Sequence, residues 1–118
     1  MPHCIIEATE NILIDINVKL LMKDVSKAIF SLGCFSADDI KVRLYPVKYS
    51  FLGIKEQDHS YVTAEVQIMD NKTDDQLDDL SDKIQKVLSD HFNSTSGKKS
   101  ITIQINFINN FYKRFKNF

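Results

Sequence analysis

The most unusual chemical possibility in this chain lies at Pro2, in the opening Met1-Pro2-His3. Methionine is ordinarily removed ahead of a small residue such as proline, and removal turns Pro2 into a chain-terminal secondary amine. That amine is a base without help from a neighbour. An α-amino group has a pKa of about 7.7–8.0. An apolar pocket or nearby cations lower it by penalising the ammonium form. A group titrating near neutrality suits proton shuttling. With Met1 attached, the same nitrogen is an amide and no base. Proline at this position is common, so the position alone does not make it catalytic.

Arg43 and Lys41 offer a second chemistry. Arg43 is one of two arginines in the chain. Lys41 precedes it by two residues, so on an extended strand they share a face. Arginine grips carboxylates through two parallel hydrogen bonds, and a neighbouring cation polarises a carbonyl. Both also read as solvated strand residues. His3, His59 and His91 are not spaced like a metal site, and no cysteine joins them at a zinc-like interval. His91 falls near a predicted helix end, where an imidazolium suits the dipole. Glu7 reads as a supporting residue of the first strand or as a second acid–base group. Cys4 and Cys34 read as buried small apolar residues. The acidic run Asp74, Asp75, Asp78, Asp79 and Asp82 reads as a solvated helix face rather than a calcium loop.

These residues must be placed by regular elements, and the patterning supplies them. Residues 3–8 carry β-branched residues at their centre and predict a strand. Over residues 15–32, Val18, Leu21, Met22, Val25, Ala28, Ile29 and Leu32 recur at helical spacing, with Gly33 as a stop. Residues 39–47 alternate, and Pro46 implies a strand end or an edge strand there. Residues 50–60 hold turn signals, and residues 61–69 alternate again. Thr73 and Gln76 form a capping-box signature before a second stripe of Leu77, Leu80, Ile84, Val87 and Leu88. Residues 93–99 read as a loop, and Ile101, Ile103, Ile105 and Phe107 as a last strand. The tail mixes aromatics with cations.

Strand–helix–strand thus occurs twice. The expected fold is α+β: two β-α-β units forming a four-stranded sheet with both helices on one face. Lys41, Arg43 and Tyr45, taken as lying mid-sheet, are poor solvent decoration, so the bare face suggests a partner subunit.

The 118 residues make one expected domain, residues 1–118. The 15 Lys+Arg nearly balance the 16 Asp+Glu, which removes the main electrostatic argument for nucleic acid. No apolar run is long enough for a membrane span, and the start does not read as a signal peptide. Two cysteines are too few for a disulfide-stapled fold. A cytoplasmic location is expected.

The opening PHCIIEATENI, Gly33-Cys34-Phe35, Asp39-Ile40-Lys41-Val42-Arg43, His59-Ser60-Tyr61, His91-Phe92 and Tyr112-Lys113-Arg114 follow one another in order. That series resembles the 5-carboxymethyl-2-hydroxymuconate isomerase family, a branch of the tautomerase superfamily. The resemblance implies a homotrimer with active sites near subunit interfaces and no metal or organic cofactor. It implies Pro2 as the acid–base group, moving a proton between oxygen and carbon of a small anionic dienol acid. It implies 5-carboxymethyl-2-hydroxymuconate or a related dicarboxylate or tricarboxylate as substrate, within aromatic-compound catabolism. Arg43, Lys41 and His3 become the substrate-binding candidates, although the family often carries arginine where this chain has Lys41. The tail is expected to pack on a neighbouring subunit. Two rivals stay open: a non-catalytic tautomerase-fold protein that binds a small ligand, and a hydratase or decarboxylase on the same fold.

Overall fold

The computed structural model describes residues 1–109 and 111–118. Its elements are β1 (His3–Thr9), α1 (Val18–Phe30), β2 (Lys41–Val47), β3 (His59–Met69), α2 (Asp74–Phe92) and β4 (Lys98–Ile108). Short 3-10 turns occupy Glu10–Leu13 and Ala37–Asp39.

Local chemistry sets the boundaries. α1 begins at Val18, the first residue of the apolar stripe, where the Asn17 side chain caps it by accepting the Leu20 N–H at 3.1 Å. Gly33 follows the helix end with φ +86°, where a side chain would be strained. The capping box forms as expected: Thr73 Oγ1 accepts the Gln76 N–H at 3.2 Å, and Gln76 Oε1 accepts the Thr73 N–H at 2.9 Å. α2 runs past the predicted stripe and buries Phe92 beside Leu80, Ile84 and Leu88. Residues 59 and 60, expected in a turn, join β3 instead. Asp39, expected to open a strand, belongs to the 3-10 turn before β2.

The sheet order is β2-β1-β3-β4, with β1 parallel to β2, antiparallel to β3, and β3 parallel to β4. Alternation then sorts each strand between two faces. Cys4, Ile6 and Ala8 face Val62, Ala64, Val66 and Ile68 within one core with Leu21, Val25, Ile29, Leu80, Ile84, Leu88 and Phe92 of the helices. Each large aliphatic side chain buried there contributes about 1.5–3 kcal/mol relative to exposure. His3, Ile5 and Glu7 fall on the opposite face, which no helix covers.

Two expectations change. β2 is an edge strand, so Lys41, Arg43 and Tyr45 are not mid-sheet; this also accommodates Pro46, which lacks a ladder donor. Cys34 is exposed rather than buried, because it follows the end of α1 beyond the core.

Candidate active site

Parallel pairing of β1 and β2 brings their starts together, with His3 opposite Lys41 and Ile5 opposite Arg43. The Lys41 N–H donates to the Pro2 carbonyl at 3.0 Å, extending the ladder to the chain start. Pro2 is fully buried on the helix side of the sheet, next in phase with Cys4. A prolyl nitrogen here is therefore held by rigid backbone rather than carried on a loose arm.

His3 turns to the open face. Arg43 Nη1 lies 3.2 Å from His3 Nδ1. Burial, then Lys41, Arg43 and the amino terminus, hold the His3 pKa below its ordinary value.

The tail closes this end of the sheet. Arg114 Nη1 and Lys116 Nζ each donate to Asp39 Oδ1 at 2.9 Å. The Lys116 ammonium also stands 4.8 Å from the Phe118 ring centre. Between strands and tail lies a pocket of about 310 Å³, walled by His3, Lys41, Arg114, Lys116 and the aromatic rings of Phe115 and Phe118. The amino group of Met1 feels the same cations. Burial first and Lys41 next lower its pKa; Asp39 opposes them, and Arg114 and Lys116 lower it further. A small anion with an apolar body matches such a wall: cations for carboxylates, rings for a flat carbon skeleton.

The structure thus brings Pro2, His3, Lys41 and Arg43 to one end of the sheet. Lys41 faces the pocket directly, whereas Arg43 touches it through His3. Glu7 lies about 13 Å further along β1, exposed beside a separate groove lined by Thr63 and Glu65. His59 begins β3 and donates from Nδ1 to the Gln57 carbonyl at 2.8 Å. His91 Nε2 lies 2.8 Å from Asp24, joining α2 to α1 rather than acting as a lone helix-end charge. Among the described residues, no three His, Cys, Asp or Glu side chains gather as a metal-binding group.

Asp39, and Arg114 and Lys116 as walls of this chain's own pocket, were missed at the level of sequence. Asp39 stands inside a recognisable segment, but nothing local shows that its partners lie 75 and 77 residues away.

A family model for 5-carboxymethyl-2-hydroxymuconate isomerase matches residues 2–117. The chain belongs to that family. Membership makes it an isomerase. A crystal structure of a 5-carboxymethyl-2-hydroxymuconate delta-isomerase shares 13% identity over 99% of this chain and 89% of its own, with a TM-score of 0.87. A 5-carboxymethyl-2-hydroxymuconate isomerase from Deinococcus radiodurans R1 shares 21% identity over 98% and 89%, with a TM-score of 0.88. A fused 4-OT described as a symmetric trimer shares 13% identity over 87% and 86%, with a TM-score of 0.63. These likenesses establish the isomerase family's fold for the chain, two helices on one face of a four-stranded mixed sheet. No curated protein matches the sequence significantly.

Proposed function

We propose that this family member, once Met1 is removed, uses the Pro2 amine to move a proton between oxygen and carbon of a small unsaturated polycarboxylate. The leading candidate is 5-carboxymethyl-2-hydroxymuconate, the compound that names the family. One observation carries the reading: the cations that wall the pocket, Lys41, Arg114 and Lys116, are those that surround the Met1 amino group and lower its pKa, one residue before Pro2.

The steps follow from the chain's own groups. The free Pro2 nitrogen takes the enol O–H proton, and the oxygen lone pair becomes the carbonyl π bond. The diene electrons shift along the conjugated chain. The resulting prolinium returns a proton to the terminal carbon, which restores the amine. Lys41 holds the carboxylate next to the enol and from there also stabilises the negative charge that develops on the neighbouring oxygen. Arg43 holds His3 so that its ring can donate a hydrogen bond to the substrate. The burial and cations that lower the pKa of the Met1 amino group would, after Met1 is lost, likewise favour the unprotonated Pro2 amine, the form that takes the enol proton near neutral pH.

The same reading includes a homotrimer in which the tail, docked on its own chain's Asp39, also borders a neighbouring subunit. The trimeric 4-OT neighbour supports it. So does the apolar surface left bare at Tyr49, Phe51 and Ile54, more than a single soluble chain needs. A role in aromatic-compound breakdown follows from the proposed substrate. Two cysteines without a disulfide support a cytoplasmic setting.

The test is ketonisation of 2-hydroxymuconate, followed by ultraviolet absorbance, on protein whose intact mass shows Met1 removed. Pro2→Ala should cut the rate at least about a hundredfold with the fold intact by circular dichroism. A variant as fast as the parent would sink the mechanism.

A further inference from the structure

We infer that Asp39 is a positioning residue that clamps the C-terminal tail into place as the reader of the substrate's second carboxylate. The inference rests on the proposed isomerisation. Three observations meet here. Both tail cations converge on a single oxygen of Asp39, each at 2.9 Å. The Asp39 side chain is only 18% exposed and Lys116 27%, so this pair sits against the protein, with the more exposed Arg114, at 38%, on its outer side. Arg114 and Lys116 then form, with Phe115, the wall of the pocket that faces Lys41.

The geometry divides the labour. Lys41 belongs to a strand and is in place whether or not the tail is docked. Arg114 and Lys116 lie in a segment outside any helix or strand, which follows β4. A long cation on a free tail loses rotamer freedom when it binds an anion, and that loss weakens binding. Asp39 holds both cations before substrate arrives. One oxygen of Asp39 cannot exhaust five guanidinium and three ammonium N–H donors. Donors remain to meet a substrate carboxylate. A ligand with one carboxylate, held at Lys41, does not need the tail; a ligand with two does.

The clamp is tested with the full Met1-free chain carrying Asp39→Asn, and with Asp39→Glu as the conservative control. KM for 2-hydroxymuconate should rise about tenfold in Asp39→Asn, with kcat within about twofold, because the lost contact serves ground and transition states alike. KM for an enol acid with a single carboxylate should stay within about twofold. Asp39→Glu should restore most of the difference. A rise shared equally by both substrates, or by neither, overturns the assignment. A second readout needs no turnover. Trypsin cleavage after Lys113, Arg114 and Lys116 should be several-fold faster in Asp39→Asn than in the parent or Asp39→Glu. Equal cleavage in all three overturns the clamp. If the parent with a free Pro2 shows no turnover, the isomerisation reading fails, and the proteolysis alone decides whether Asp39 docks the tail.

Discussion

Arg43 Nη1 donates to Nδ1 of His3 across 3.2 Å, joining the edge strand to the strand that starts the chain. A guanidinium has no acceptor, so His3 Nδ1 must be unprotonated and the ring proton sits on Nε2. Burial, Lys41, Arg43 and the amino terminus all disfavour the imidazolium. Arg43→Met removes one of these causes. The His3 titration, followed by NMR, should move part of the way back up toward 6.5. A midpoint that does not move would show that Arg43 does not govern His3.

The Met1 amino group carries a lowered pKa whose causes are burial and then Lys41, and a Pro2 amine freed by loss of Met1 would begin one residue further into the same surroundings. The active base is the unprotonated amine. In the Met1-free protein, kcat/KM should therefore rise with pH through a midpoint below 8.0, the ordinary amino-terminal value. Lys41→Gln should move that midpoint upward and raise KM. A pH–rate midpoint unchanged by Lys41→Gln would remove Lys41 from the surroundings of the base.

Cys4 and Cys34 should separate cleanly under a thiol reagent. Burial pushes the Cys4 thiol up to about 12, whereas Cys34 is exposed. The thiolate is the reactive form. Native protein at mildly alkaline pH should take up one equivalent of reagent, at Cys34, and a second only on unfolding. Early labelling of Cys4, seen by peptide mass, would contradict the packing of β1 beneath the helices.

Ile84 is completely buried where α2 lies on the sheet. Ile84→Ala should lower unfolding stability by about 2–5 kcal/mol, read from the urea midpoint at unchanged slope. A loss below about 1 kcal/mol would mean that the helix surface repacks around the gap.

Glu65 accepts from Asn106 at 2.8 Å and Gln67 at 3.1 Å on the open face. These hydrogen bonds hold its carboxyl below the ordinary 4.5. A depressed carboxyl contributes stability that is present above 4.5 and is lost as pH falls through its lower folded value. Glu65→Gln should therefore flatten the acid limb of the stability–pH curve below 4.5. An identical acid limb would show that Glu65 is not a source of acid sensitivity.

The elements were legible in the sequence because neighbours encode them. The apolar spacing of Leu21, Val25 and Ile29 predicts α1 and its buried face, and Thr73 with Gln76 predicts the start of α2 down to both hydrogen bonds. Alternation in β3 separates the buried Val62, Ala64, Val66 and Ile68 from their half-buried neighbours. Pro2 stood out by chemistry, and Lys41 and Arg43 shared a face through the two-residue period of a strand. Periodicity reaches only a few residues, however. It does not say which strand takes the edge: Pro46 points to an edge in β2, while the cations of that strand read as mid-sheet. It does not say that Cys34 lies beyond the core, or that the Lys41 side of the pocket is closed by a tail. Those facts depend on strand order, which juxtaposes residues far apart in the chain. The meeting of Asp39 with Arg114 and Lys116 has no local signal, since each residue alone is an ordinary surface charge. Only when β1 and β2 run parallel, and the chain returns along β4, do these three charges meet beside the start of the chain.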